Sequence, residues 1–305
     1  MDERPYLSMA ILAYNERDSI ESAAYRSSRA LARCGTTYEL ILVDDGSTDG
    51  SGEAMDRLAS ELPRCRVLHH PTHLGLGAAI RTAYFGGRGE WATWFPADLQ
   101  ADPDDLPGLA ERLEQCDVLV TYRNAASRRA SLGRKLVSLF DRVLVRFLFG
   151  LKLRDLHWIH FFRRRLLDQM HLKSDSPSID TEMIVQARRL GARFLEVPLA
   201  DYPRTAGKAK GAGWANIVAS FRDLLMLWTR EGLIRMPQWS PRVKQEATER
   251  TEKCCSLFDL EKHRGRAGGE GEGRGGGREN GRGHGDDSVL SVASCAEKQS
   301  AGQGV

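Results

Sequence analysis

Three short segments carry side chains that could do chemistry. In PADLQADP, Pro96 to Pro103, an apolar run gives way to a short acidic loop that carries Asp98. A carboxylate at a strand end suits a hard divalent cation bound against phosphate oxygens. In VDDGSTD, Val43 to Asp49, two carboxylates close a strand-like run ahead of a Gly turn. An Asp there can accept hydrogen bonds from a ribose hydroxyl or a base N–H, and the turn lets a ligand approach. Ser47 to Asp49 also read as a helix start, but two consecutive acids exceed what capping needs. In HLGLGAA, His73 to Ala79, a Gly-rich loop feeds a helix, where N–H groups favour a phosphate or another anion. Glycine also simply permits tight turns.

The elements that must position these segments alternate. Strand-like runs are expected at Leu7–Ala13, Tyr38–Val43, Arg66–His69, Glu90–Phe95 and Asp117–Tyr122, with helical patterns between them. Asp18 to Glu21 reads as a capping box, and Asp102-Pro103 as a cap followed by Pro at the first helical position. Strands alternating with helices argue for an α/β fold with a largely parallel sheet. In such sheets ligand loops gather at the carboxyl ends of strands. AYNER, DDGSTDG, HLGLG and PADLQ each follow one of the first four strands.

Beyond Tyr122 the pattern changes. Leu136, Leu139, Phe140, Val143, Leu144, Phe147, Leu148 and Leu151 form a helical stripe, widened by Val137, Val145 and Phe149 and flanked by cations. Trp158–Phe162 reads as a strand, Asp180–Leu190 as a helix, Phe194–Val197 as a strand, and Trp214–Leu233 as an amphipathic helix. Residues 1–236 are expected to form one catalytic domain, with a donor half at about 6–122 and an acceptor half at about 123–236. Residues 237–305 read as a disordered tail, because residues 265–285 hold eleven glycines and no apolar side chain beyond Ala267.

Composition sets limits on function. A net charge of +3 does not call for a nucleic acid. The tail's acids argue against RNA as well, so no nucleic-acid partner is expected. Arg and Lys crowd residues 123–165 among large apolar residues, which suggests a local anionic partner. Six cysteines without CxxC fit reduced thiols in a cytosolic compartment. The start is acidic and strand-like, so no signal peptide is expected. The two most apolar stretches, Leu136–Leu151 and Trp214–Met236, are interrupted by charge and are too polar to span a bilayer.

AYNE, VDDGSTDG, HLGLGAAIRTAY, ADLQADP, TYR, RDLHWIHFFRR and VPLADYPRTAGKAKG, in that order over about residues 6–215, resemble the family 2 glycosyltransferases of the GT-A fold. Within that family they are most similar to the dolichol- or polyprenol-phosphate sugar transferases, dolichyl-phosphate mannosyltransferases among them. The QxxRW motif of the family's processive synthases is missing. The resemblance implies an inverting hexosyltransferase that uses a nucleotide-diphosphate sugar donor and a polyprenyl-phosphate acceptor, in cell-envelope or glycolipid synthesis. It implies that Ala13, Tyr14, Asn15, Glu16, Asp44, Asp45 and Ala97 meet the donor nucleotide, with Asp44 and Asp45 on base and ribose. Asp98 and Gln100 would hold Mg²⁺ or Mn²⁺. Arg123, Arg134, Ser138 and Arg204 would meet the acceptor phosphate, and Asp98, Arg123, Arg204 and Lys210 would carry catalysis.

Two positions depart from the family's pattern. Pro96 replaces the first acid of its Asp-x-Asp loop, and Ala209 replaces the Ser before Lys210. With Pro96, Asp98 becomes the main metal ligand; the rival reading is a degenerate loop in a non-catalytic module that binds a nucleotide sugar or lipid phosphate. A third reading keeps the transferase but gives it another glycan or lipid acceptor. Asp155 matches an acid of the pattern and reads as orienting its neighbouring strand. His157 and His160 read as structural or acceptor-facing. Asp180 and Glu182 resemble the acidic helix start from which some related transferases draw a base, and capping fits them equally. The basic apolar helices suggest a peripheral enzyme on the cytosolic face of a membrane, although periodicity alone fits a helix packed on the sheet.

Overall fold

The computed structural model describes residues 4–123, 143–174, 176, 178–203 and 222–232. The chain divides into two units, Met1–Lys244 and Gln245–Val305, and every described residue belongs to the first. The expected Gly-rich tail lies outside the described residues, as do Arg134, Ser138, Arg204 and Lys210.

A seven-stranded sheet forms the centre, in the order β3-β2-β1-β4-β6-β5-β7. The strands are β1 (Leu7–Ala13), β2 (Tyr38–Asp44), β3 (Cys65–His69), β4 (Trp91–Pro96), β5 (Val118–Arg123), β6 (His160–Arg163) and β7 (Phe194–Leu199). β1 pairs in parallel with β2 and β4, β2 with β3, and β5 with β7; β6 runs antiparallel between β4 and β5. The sixth strand starts two residues later than the sequence suggests, because Ile159 lends its carbonyl to Thr121 before the ladder begins.

The helices are α1 (Ile20–Arg33), α2 (Ser51–Glu61), α3 (Leu76–Gly86), α4 (Leu106–Ala110), α5 (residues 143–149), α6 (Arg164–Leu167), α7 (Ile179–Arg189) and α8 (residues 222–227, running into a π turn at Trp228–Gly232). They cover both faces, and this is why LSMAILA and YELILV read as continuous apolar runs rather than alternating ones. Met9 and Ile11 of β1 pack with Ile20 and Leu31 of α1 and Met55 of α2. Ala10 and Leu12 face the opposite side with Ile80 and Tyr84 of α3 and Met183 of α7.

Two helix starts test the capping arguments. Asp102 caps as expected: its side chain accepts the N–H of Asp104, with Pro103 opening a 3₁₀ turn ahead of α4. The Asp18 capping box does not form. Ser19 is the N-cap and makes no side-chain cap bond. The carbonyl of Glu16 instead takes the N–H groups of Ser19 and Ile20, at 3.1 and 2.9 Å, so loop backbone replaces the side chains.

The fold also turns the fifth helix around. Val145 and Phe149, which only widened the stripe, are the residues buried in the core, whereas Val143 and Phe147 of the main stripe point outward. No described helix is long and apolar enough to cross a membrane.

Candidate functional site

Strand order reverses between β1 and β4, since β2 and β3 lie to one side of β1 and β4 to the other. That switch point, at the carboxyl ends of parallel strands, is where an open α/β sheet leaves a crevice. The loops after β1, β2 and β4 meet there.

The β1 loop is stitched to the β2 loop. Asn15, with φ 52°, sits in the left-handed region that Asn tolerates. Its N–H donates to Ser47 Oγ at 3.0 Å, and its Oδ1 accepts the N–H of Thr48 at 2.7 Å. Glu16 N–H donates to Ser51 Oγ, Arg17 N–H to Asp49, and Asp45 N–H to Ala13 O. Ala13, Tyr14, Asn15, Glu16, Asp44 and Asp45 therefore form one assembly.

Asp44 and Asp45 are both buried, and both are already engaged. Asp44 accepts the Ser47 N–H at 2.9 Å and bonds His69 Nδ1 at 2.9 Å; His69 Nε2 reaches Asp56 at 3.0 Å. Burial works to raise the Asp44 carboxyl, yet the hydrogen bonds from Ser47 and His69 hold it below its ordinary value. The bond to Asp44 in turn raises His69, against partial burial and with help from Asp56. Asp45 takes three hydrogen bonds. Oδ1 accepts from His70 Nδ1 at 2.7 Å and Leu74 N–H at 2.9 Å, and Oδ2 from Gly75 N–H at 3.0 Å, with His73 Nδ1 2.8 Å from Oδ2 as an ion-pair neighbour. The His73 ring lies on Tyr14, with centroids 3.7 Å apart and planes 16° apart.

Two expectations change here. The anion held at the start of α3 by Leu74 and Gly75 is the protein's own Asp45. Gly46 makes room for backbone rather than for a ligand: with φ 70°, a Cβ at this position would sit 2.3 Å from the carbonyl carbon of Thr72. The three histidines that complete the assembly were not singled out from sequence. The available signal was their grouping, His69, His70 and His73, at the end of β3 and just after it, beside the strand that runs into Asp44 and Asp45.

At β4, Ala97 N–H donates to Leu12 O, so the ring nitrogen of Pro96 faces the other side. There β6 has already stopped, its last pairing with β4 being at Thr93, and a residue without N–H costs the ladder nothing. Asp98 is buried and accepts the N–H of Gln100 at 3.1 Å. Between them Leu99 is forced to φ 57°, a strained position for a leucine of order 1 kcal/mol. Gln100 O accepts the N–H of Tyr202 at 2.8 Å, which ties this loop to the segment after β7. No group of three or more His, Cys, Asp or Glu converges as a metal cage among the described residues. One buried carboxylate and one carboxamide remain, a donor set that needs ligand oxygens and water to complete a shell.

Arg123, at the end of β5, is gripped by Asp155 through Nε at 2.8 Å and Nη2 at 3.2 Å, and its guanidinium lies 5.0 Å over the Trp158 ring. Asp155 thus orients an arginine more than a strand. His160 is structural: it is fully buried, bonded to Leu156 O, and lowered to about 4 by that burial, hence neutral. Glu182 is a hub, accepting from the N–H groups of Lys173 and Ser174, from Gln186 and from Arg230. Asp180 differs. It is buried, its Oδ1 has no hydrogen-bond partner among the described residues, and burial lifts it to about 7, with His157 lowering it and Asp155 raising it. Arg81 donates to the carbonyls of Leu172 and Ser174 and braces that loop.

Comparison with known proteins places this geometry. Residues 8–171 match the model of Glycosyl transferase family 2. Over 232 residues the chain is 32% identical to Glycosyltransferase AglD of Haloferax volcanii, covering 73% of the chain and 37% of AglD. Over 213 residues it is 29% identical to Undecaprenyl-phosphate mannosyltransferase of Micrococcus luteus, covering 67% of the chain and 86% of that relative. A third relative, Undecaprenyl-phosphate 4-deoxy-4-formamido-L-arabinose transferase of Klebsiella pneumoniae, is 29% identical over 67% of the chain and 62% of its own length. The chain thus spans well under two thirds of AglD and slightly under two thirds of the Klebsiella protein. Among solved structures, glucosyl-3-phosphoglycerate synthase of Mycobacterium tuberculosis in complex with Mn²⁺, uridine diphosphate and phosphoglyceric acid superposes with a TM-score of 0.57 at 19% identity, over 77% of this chain and 80% of that one. At that identity the likeness shows the shared fold, the GT-A architecture expected from the motifs.

Proposed function

The chain belongs to glycosyl transferase family 2, and from that premise we propose that it moves a hexose from a nucleotide-diphosphate sugar to a polyprenyl phosphate, with inversion at the anomeric carbon. The observation that carries this reading is the similarity to a relative named for undecaprenyl phosphate across 86% of that relative's length. An oxygen of the acceptor phosphate attacks the anomeric carbon as the bond to the nucleoside diphosphate breaks. That phosphate is already anionic, so alignment matters more than a strong base.

The residues divide the work. Tyr14, Asn15, Glu16, Asp44 and Asp45, with Ala13 and Ala97 beneath them, receive the nucleotide. Asp98 and Gln100 would hold Mg²⁺ or Mn²⁺, which would supply positive charge to the leaving group. The strained turn at Leu99 and the Gln100–Tyr202 bond keep the Asp98 carboxylate in place. Arg123 presents Nη1 to the acceptor phosphate while Asp155 and Trp158 fix its plane, which spares the entropy of ordering a long side chain. Arg134, Ser138, Arg204 and Lys210, outside the described residues, complete the anion-binding set.

The acceptor lies in a membrane, and the outward side of α5 and α8 supports peripheral contact at its cytosolic face. Phe147 is 85% exposed and Met226 59%, with Val143 and Leu225 also exposed and Arg146 and Arg222 beside them. Apolar side chains among arginines suit the headgroup plane of an anionic surface.

The test is a panel of labelled nucleotide sugars with Mg²⁺ or Mn²⁺ and polyprenyl phosphate, run with the wild type and with Asp98→Asn. Label is expected on the lipid, with transfer reduced roughly 100-fold or more in the variant. Label on another glycan or lipid would replace the acceptor, and donor binding without transfer under either metal would make this a binding module. Undiminished transfer by Asp98→Asn would remove the metal assignment.

A further inference from the structure

We infer that the imidazole of His73 holds the place of the donor's nucleobase, and that nucleotide binding turns it off Tyr14 and Asp45. This deepens the donor reading above and rests on it.

A carboxylate offers about four acceptor sites on its two oxygens. In Asp45 three are taken by hydrogen bonds from His70, Leu74 N–H and Gly75 N–H, and His73 Nδ1 stands 2.8 Å from Oδ2, over the remaining one. A base or ribose that donates to Asp45 must therefore displace one of these groups. The two N–H groups belong to backbone that is fixed against Gly46, where a Cβ would already collide with Thr72 and His73. The His70 side chain is 9% exposed, and its Nε2 bonds Thr82 Oγ1 at 2.8 Å. The His73 side chain is 48% exposed. Among the described residues its ring is held by an ion-pair contact with Asp45 and one stack on Tyr14. Rotation about its own side-chain bonds, with the backbone unmoved, frees both.

The ring that leaves is a fair copy of what would arrive. It is planar, it lies flat on Tyr14, and its Nδ1 stands 2.8 Å from a buried carboxylate. At 3.7 Å between centroids no third ring fits between His73 and Tyr14. A nucleobase using the same face of Tyr14 and the same oxygen of Asp45 competes with His73 directly. The measured affinity for a nucleotide is then the intrinsic affinity reduced by the fraction of molecules with His73 turned out.

Isothermal titration of the full chain with UDP, GDP and CDP, in Mg²⁺, measures the competition in His73→Ala and His73→Phe. His73→Ala is expected to tighten binding of the preferred nucleoside diphosphate about five- to tenfold, the factor that one aromatic stack contributes. His73→Phe keeps a ring on Tyr14 but loses the ion-pair contact with Asp45, and is expected to fall between His73→Ala and wild type. The ¹H–¹⁵N correlation of the His73 ring in the wild type is expected to move to the position of a solvated imidazole when nucleotide saturates. Weaker binding by His73→Ala would mean that His73 clasps the base, and unchanged binding with an unmoved ring signal would mean that it ignores the base. Either result overturns the inference while leaving the donor reading intact. Binding of no nucleoside diphosphate by wild type or variants would sink the donor reading, and this inference with it. Binding that appears only in the variants would be its strongest support.

Discussion

Asp180 opens α7 with a carboxyl group that is buried, lacks a partner for Oδ1 among the described residues and is lifted by burial from 3.8 to about 7. Replacing it with Asn, which keeps the shape of the neutral acid, makes a consequence of that burial measurable. Below pH 4 the carboxyl is protonated in both folded and unfolded chains and contributes no difference. As pH rises from 4 towards 7 the unfolded chain releases the proton while the native state retains it. Because the native state then binds more protons, its stability falls by about 1.4 kcal/mol for each pH unit. The loss reaches about 4 kcal/mol at pH 7 and is flat above, where both states are ionised. The carboxamide of Asp180→Asn does not titrate and carries no such burden. Urea unfolding of the two proteins at pH 4.5 to 8.5 should give stabilities whose difference is smallest, about 1 kcal/mol from this group, at the acid end. They should diverge in favour of Asp180→Asn up to neutrality, and the difference isolates this group from every other titrating residue. Parallel profiles for the two proteins would refute the argument, since they would mean that Asp180 ionises in the fold as it does in water.

Gly46→Ala combines a left-handed φ with a Cβ 2.3 Å from backbone, so a loss of about 3 kcal/mol and a melting temperature lower by roughly 6–12 °C are expected. Scanning calorimetry checks it. Phe147→Glu alters a side chain that is 85% exposed and should leave melting unchanged, yet weaken sedimentation with anionic vesicles about tenfold or more. Equal pelleting of variant and wild type would remove this surface from the membrane reading. Arg123→Lys loses the two-point grip on Asp155 and the stack over Trp158, and a stability loss of about 2 kcal/mol is expected with a raised KM for polyprenyl phosphate. Thermal melts and acceptor titrations measure the two effects, and an unchanged KM would take Arg123 out of acceptor binding.

Much of the frame was legible in the sequence because its causes are local. Apolar runs bounded by turn residues marked all seven strands to within two residues, and polar loops at four strand ends pointed to the sheet's crevice. Asp102-Pro103 capped as written because cap and turn lie within three residues of each other. The Asp18 box failed for a tertiary reason: the β2 loop, through Ser51, holds Glu16 in a position where its carbonyl serves the helix start first.

The partners of the charged groups could not be read along the chain. That Asp45 is engaged by the backbone of Leu74 and Gly75 and by His70, that Arg123 is fastened by an acid 32 residues away, and that Glu182 is consumed by loops while Asp180 Oδ1 has no hydrogen-bond partner among the described residues all follow from which strands become neighbours. Residue types fixed which atoms could bind a nucleotide, a cation or a phosphate, since that chemistry belongs to the side chains themselves. Burial and proximity, set only when the sheet assembled, decided which of those atoms remain available, because a carboxylate's capacity is finite and its neighbours reach it before any ligand does.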